Sequence, residues 1–198
     1  MSVLAKIIER LTASPRVYNL CQWALEGDYH RVIVDTVKIS PDDSLLDMGS
    51  GTGYFSQFFH CHYCGIDNNM AYIAAARRAY ANERLEFHEG DVRHTNFPDK
   101  SFDFVILVNI IHHLSDADLR LALVEARRLA RRSVYIIDVT TKSISFLTSL
   151  LLALDNGKYM RSLTQQREII SSVLFVEKYF TFQAPRRLLL HTAVICQV

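Results

Sequence analysis

The sequence predicts an α/β fold: three layers, doubly wound, with a mostly parallel seven-stranded sheet whose last two strands pair antiparallel. Three observations carry this. Short apolar runs alternate with helical patterns five times down the chain. A glycine-rich turn, "GSGTG", follows the first of those runs directly. The final two strand patterns are joined only by "QAPRR", too little chain for a parallel crossover.

Three helical patterns open the chain, near residues 2–12, 15–26 and 28–38. Pro15 suits a first helical turn, and "SPDD" at 40–43 marks a break. "SLLDM" is a short strand running into the glycine turn, and "YFSQFF" reads as helical. "HYCGID" is the second strand. "NNMAYIAAARRAYA" carries strong helix formers behind an Asn cap. "RLEFHEGD" is the third strand, and "FDFVILVN" is a fourth of the buried, parallel kind.

"SDADLRLALVEARRLARR" is the clearest helix. Ser115 is its N-cap, with Asp118 three residues on. Leu119, Ala122, Leu123, Ala126 and Ala130 share one face, and arginines collect where the helix dipole favours cations. "SVYIIDVT" is the fifth strand. A helical stretch over 143–154, a loop around "DNGKYMRS", a helix near 164–172 and strands near 173–182 and 188–196 complete the chain. The expected organisation is one domain: a helical cover (1–40), a ligand-binding core (41–140) and substrate-side helices and strands (141–198).

Composition narrows the function. The chain has 198 residues, 49% of them hydrophobic, so it can bury a core without disulfides or metals. Its formal net charge is +1. That lacks the basic excess typical of nucleic-acid binders, so no nucleic-acid partner is expected. Cys21, Cys61, Cys64 and Cys196 are scattered and suit a reducing, cytoplasmic setting. No apolar run reaches the ~18 residues of a membrane span. "MSVLAKIIERL" has charges inside its apolar pattern and reads as an amphipathic helix, not a signal peptide.

The turn in "LLDMGSGTGYF" decides the ligand. A P-loop needs GxxxxGK[ST], and no Lys follows here. A dinucleotide turn needs GxGxxG, and here the third glycine, Gly53, comes one position early after Gly49, Ser50, Gly51 and Thr52. Asp47 stands two residues before the turn. Its carboxylate repels a pyrophosphate and favours a cationic group, while the following helix N-terminus still welcomes a carboxylate. A ligand with an ammonium, a carboxylate and a nucleoside, but no phosphate, meets these demands. S-adenosylmethionine is such a ligand.

"LLDMGSGTGYF" resembles the first motif of the class I S-adenosylmethionine-dependent methyltransferases, whose fold is Rossmann-like. The likeness continues in order. In "CGIDNNMAYIAAAR", Asp67, with Asn68 beside it, corresponds to the acid that binds the ribose hydroxyls. In "FHEGDVRHTNFP", the resemblance makes Asp91 an acceptor for the adenine amino group and Val92 a contact to the ring. In "FDFVILVNIIHHL", Asn109 and the following turn face the methionine moiety. The likeness is good over roughly 42–140 and loose elsewhere. "LARRSV" lacks the Gly-Gly turn that often precedes strand five, a departure expected to alter only a loop.

Other motifs have two readings. "HCHYC" looks like a metal site, but Cys61 and Cys64 lie three apart on a strand and point to opposite faces. No second ligand pair completes a zinc set, so no metal is expected. Tyr18 and Arg16 belong to the N-terminal cover. Similar enzymes use a Tyr there to close over the cofactor carboxylate, and burial on a helix is the other reading. Tyr159 and Arg161 could meet an anionic substrate or form a surface turn. "SISFLTSLLLAL" either lines a pocket for an apolar substrate or covers the sheet.

The expected activity is methyl transfer to a small molecule by in-line displacement, which demands alignment and exclusion of water. If the acceptor is a hydroxyl, a base helps. His113, in "HHL", is the first candidate and Asp138, at the end of strand five, the second. DNA amino-methylating enzymes carry [DN]PP[YF] after strand four, where this chain reads "NIIH". A protein methyltransferase, a non-catalytic cofactor-binding subunit and a nicotinamide-dependent oxidoreductase are the alternatives.

Overall fold

The computed structural model describes residues 29–141, 157–183 and 189–198. The helical patterns expected over 2–12, 15–26 and 143–154 lie outside them. Seven strands form a single sheet: β1 (Ser44–Met48), β2 (His62–Asp67), β3 (Leu85–Glu89), β4 (Phe102–Val108), β5 (Ala130–Val139), β6 (Phe175–Gln183) and β7 (Leu190–Gln197). Their order is β3-β2-β1-β4-β5-β7-β6. The first five are parallel to their neighbours, and β7 runs antiparallel between β5 and β6. The described α-helices are α1 (His30–Val37), α2 (Met70–Tyr80), α3 (Asp116–Leu129) and α4 (Leu163–Ser171).

Local chemistry sets the helix starts. Asn69 Oδ1 accepts from the amides of Ala71 and Tyr72 at the head of α2, at 3.0 and 3.3 Å. Ser115 Oγ accepts from the Asp118 amide at 3.1 Å and starts α3. Ser162 and Gln165 form a reciprocal capping box at α4. "YFSQFF" departs from a regular helix. Residues Tyr54–Phe58 form a tighter 3-10 turn, because Ser56 Oγ donates to the Gly53 carbonyl at 2.7 Å and the chain must extend at Phe59 to enter β2.

The missing Gly-Gly turn has a larger consequence than an altered loop. α3 ends at Leu129 and β5 begins at Ala130, so no loop separates them. The surplus residue becomes a bulge: Phe102 pairs with Ala130 and Phe104 with Ser133, leaving Asp103 opposite both Arg131 and Arg132. Arg132 stacks its guanidinium 4.4 Å from the Phe104 ring and reaches Asp43 at 3.1 Å.

Strand alternation splits the core into two layers. Leu46, Met48, Ile66, Val105, Leu107 and Ile136 pack beneath α3 and α4, against Leu119, Leu123, Ala126 and Ile170. Leu45, Tyr63, Phe87, Ile106 and Ile137 pack on the other face, against Ile33, Phe55, Ile73 and Ala76. Cys64 belongs to the first layer and Cys61 to the second, as alternation predicts. Burial pushes the thiols of Cys61, Cys64 and Cys196 up to about 12, so all three are poor nucleophiles. Among the described residues no helix is long and apolar enough to cross a membrane.

The winding reverses at β1: β2 lies on one side and β4 on the other. In such sheets the crevice at the carboxyl ends of the strands on either side of the reversal holds the ligand.

Candidate active site

The glycine turn sits at that crevice. Gly49, Gly51 and Gly53 have φ of 88°, 54° and 75°, a region L side chains rarely adopt. The amides of Gly49 and Ser50 both donate to the Ile66 carbonyl, at 2.8 and 2.9 Å, and pin the turn to β2. Gly49 passes so close to Ile110 that a Cβ would lie 2.1 Å from its Cδ1. A Cβ on Gly53 would lie 2.7 Å from Phe87 and 2.9 Å from Ala76. The early third glycine therefore lets β3 and α2 close against the turn. Gly49, Ser50, Thr52, Tyr54, Phe55, Val108 and Asn109 line a cleft above it.

Asp47 ends β1 beneath this cleft and is 1% exposed. Its Oδ2 accepts from the Tyr63 hydroxyl at 2.5 Å. Its Oδ1 is buried with no hydrogen-bond partner among the described residues, and neither has the Ser50 Oγ that lines the cleft. Burial raises the Asp47 carboxyl to about 7, the Tyr63 hydrogen bond opposes this, and the charge of Asp67 adds to it.

Asp67 closes β2 on the glycine turn. Its Oδ2 accepts from the Gly51 amide at 3.0 Å and its Oδ1 from the Asn69 amide at 2.8 Å. Its pKa is raised by burial, against the pull of those two amides. Asn68 beside it is exposed. After β3, Val92 is buried while the Asp91 carboxylate is held by the Arg93 guanidinium, at 2.6 Å from Nη2. Arg93 also reaches Asp118 at 2.7 Å. Any further donor to Asp91 shares those oxygens with Arg93.

The exit of β4 forms the other wall. Asn109 adopts φ 53° and donates its amide to the Ile137 carbonyl at 2.9 Å. Its Nδ2 donates to the Tyr29 hydroxyl at 2.7 Å, so α1 is tied to the cleft. Ile111–His113 then form a 3-10 turn. Asp138, wholly buried, holds that turn. Its Oδ2 accepts from the Ile111 amide at 2.7 Å, and its Oδ1 lies 2.5 Å from His112 Nδ1. His113 is exposed, its ring centroid 4.2 Å from that of His112. The structure thus joins Asp138 to His112 and places His113 beside the pair.

Arg161 does not present its charge to a ligand. Only 4% exposed, it donates to the carbonyls of Ile111 at 2.6 Å, Leu114 at 2.7 Å and Tyr159 at 3.2 Å. It also pairs with Asp116 at 2.7 Å. It is a clamp on the turn that carries His112. Tyr159 is 42% exposed, and its amide donates to the His112 carbonyl at 2.9 Å. Tyr18 and Arg16 lie outside the described residues, as does "SISFLTSLLLAL". Tyr29, Tyr63, Gly65 and His112 were not foreseen. Gly65 had a signal, since glycine inside a strand often marks a close approach. A Cβ there would lie 2.7 Å from Ser50 Oγ.

A glycine cradle, an acid behind it and a second acid closing β2 suit a nucleoside with an ammonium group. A family model for the methyltransferase domain matches residues 46–137. Residues 46–137, just under half of the chain, thus match a methyltransferase domain. The family uses S-adenosylmethionine as its cofactor, and the buried, unpartnered Asp47 oxygen fits that molecule's ammonium. The chain is 28% identical over 131 residues to the ubiquinone/menaquinone biosynthesis C-methyltransferase UbiE of a Bradyrhizobium species, covering 58% of this chain and 51% of the relative. It is 35% identical over 88 residues to a fatty-acid O-methyltransferase of Mycolicibacterium smegmatis, covering 44% of this chain and 31% of that one. The chain thus spans about half the length, or less, of these curated relatives. The structure of an S-adenosylmethionine-dependent methyltransferase from Aquifex aeolicus shares the fold, with a TM-score of 0.68 at 16% identity over 98% of both chains.

Proposed function

We propose that the protein transfers the methyl group of S-adenosylmethionine to a small-molecule acceptor bearing an O–H or an acidic C–H. The observation that carries this reading is the Asp47 carboxylate, buried behind three left-handed glycines with one oxygen unpartnered. When bound, the cofactor supplies an electrophilic methyl group. Asp47 and the turn of Gly49, Ser50, Gly51 and Gly53 would hold its amino-acid end, with Asn109 facing the methionine chain. Asp67 and Asn68 would take the ribose, and Asp91 and Val92 the adenine. Tyr18 is the proposed cover over the carboxylate.

The chain's own chemical task is to align the acceptor, exclude water and receive a proton. Asp138 engages the Nδ1 edge of His112. This is the arrangement of an imidazole oriented by a buried carboxylate. In this reading the dyad, rather than the exposed His113, is the base. C- and O-methylation both release a proton from the acceptor, and the two curated relatives named above are a C- and an O-methyltransferase.

The test is turnover. The protein is incubated with S-adenosylmethionine and a panel of phenols, quinols and fatty acids, and S-adenosylhomocysteine is quantified with the product mass. Methylation of one acceptor class, lost in His112→Ala and kept in His113→Ala, supports the reading. Tight cofactor binding with no product across the panel, or across cell extracts, would instead favour a non-catalytic binding subunit.

A further inference from the structure

Tyr63 has no place in the motifs that identify the domain, yet among the described residues its hydroxyl is the side-chain donor that meets Asp47. It sits on β2 in register with Leu45, on the same face as Asp47, and is 2% exposed. Its hydroxyl donates to Asp47 Oδ2 at 2.5 Å, while Oδ1 is buried without a partner among the described residues. One neutral donor is too little to hold a full negative charge in a buried place. Among the described residues no cation acts on the Asp47 carboxyl. β2 contributes Tyr63 and Asp67, the second of which is repulsive. β4 presents Ile106 beside Asp47, and the layer over this face brings Tyr29, Ile33, Phe55 and Ile73.

We infer that Asp47 and Tyr63 form a proton-exchanging ammonium site, in which Asp47 carries a proton until the cofactor's ammonium takes that proton's place. The inference rests on the cofactor reading above and adds how the same site is regulated. The balance is simple. The carboxyl releases one proton to solvent, and the resulting carboxylate accepts from the ammonium at Oδ1 and from Tyr63 at Oδ2. Tyr63 keeps its own proton throughout, because burial and the neighbouring Asp47 charge hold the phenol well above its ordinary range. Tyr63 is therefore a positioning residue: it fixes the carboxyl plane and sets the pH at which the exchange occurs. With the Asp47 carboxyl at about 7, cofactor affinity changes across the neutral range.

The experiment is titration calorimetry of the intact chain at pH 6 and pH 8, in phosphate and in imidazole, whose ionisation enthalpies differ. The probes are S-adenosylhomocysteine, which keeps the ammonium, and 5′-methylthioadenosine, which lacks the amino-acid portion. S-adenosylhomocysteine should release close to one proton at pH 6 and close to none at pH 8. 5′-Methylthioadenosine should release none at either. Tyr63→Phe should move the release midpoint to higher pH, because the variant loses the donor that stabilises the carboxylate. Equal release by the two probes, or an unmoved midpoint in Tyr63→Phe, overturns the inference. The two-probe comparison needs no variant, so a misfolded Tyr63→Phe leaves it intact. Failure of S-adenosylhomocysteine to bind at any pH overturns the cofactor reading and this inference together. Binding without proton release overturns this inference alone.

Discussion

Two aspartates end two strands of the same sheet, and they are built for opposite tasks. Asp47 closes β1 with one oxygen on Tyr63 and the other unpartnered. Asp138, near the end of β5, is saturated: His112 Nδ1 and the Val139 amide meet one oxygen, and the Ile111 amide meets the other. Both are buried. A carboxylate that already holds its donors orients a neighbour, whereas one that lacks them waits for a ligand or a proton. The difference separates the wall that positions from the wall that binds.

The comparison breaks most visibly at Asp138. Asp138→Ala strands the Ile111 and Val139 amides and the His112 ring, and should cost about 3–5 kcal/mol of stability, read by denaturant unfolding. Asp47 should act through pH instead. Its folded pKa, about 7, lies above the ordinary 3.8, so the native state binds the extra proton. Stability is then full below about pH 4 and falls by about 4 kcal/mol as pH rises to about 7. Asp47→Asn should abolish that part of the slope in melts of the cofactor-free protein. An unchanged pH profile in the variant would remove the contrast.

Smaller effects sharpen it. Arg161→Lys keeps a charge but loses the fork that grips Ile111, Leu114 and Asp116. A loss of about 2–3 kcal/mol is expected in chemical unfolding. Asp67→Ala should weaken cofactor binding by roughly 1.5–3 kcal/mol through the lost ribose contacts, with the fold kept. Calorimetry checks it, and equal affinity contradicts the ribose assignment. His113→Ala should shift stability by less than about 0.5 kcal/mol, as exposed positions do. It should leave turnover in place, and a large loss of turnover returns the base to His113.

Much of this was legible in the residues. The strands and α3 announced themselves through period and caps, because Ser115 and Asn69 act on amides two or three residues away. The glycine turn and Asp67 were readable because chain spacing alone places them at one end of β1 and β2. The choice between His112 and His113 was not. Neighbours in a 3-10 turn point different ways, and which one meets Asp138 depends on how β4 stands against β5. Arg161 read as a surface or substrate-binding cation, since nothing local reveals that the Ile111 and Leu114 carbonyls and Asp116 converge on it. "LARRSV" reads locally as a changed loop, whereas the β4–β5 register turns its extra residue into a bulge.

By itself, then, the sequence determined the layered fold, the place of the crevice and the kind of ligand it favours, because these follow from periodicity and from turn chemistry between near neighbours. The tertiary structure alone decided which buried acid is saturated and which is not. Asp47 and Tyr63, like Asp138 and His112, meet only once parallel strands fall into register, and a hydrogen bond between distant residues leaves no mark in the local pattern.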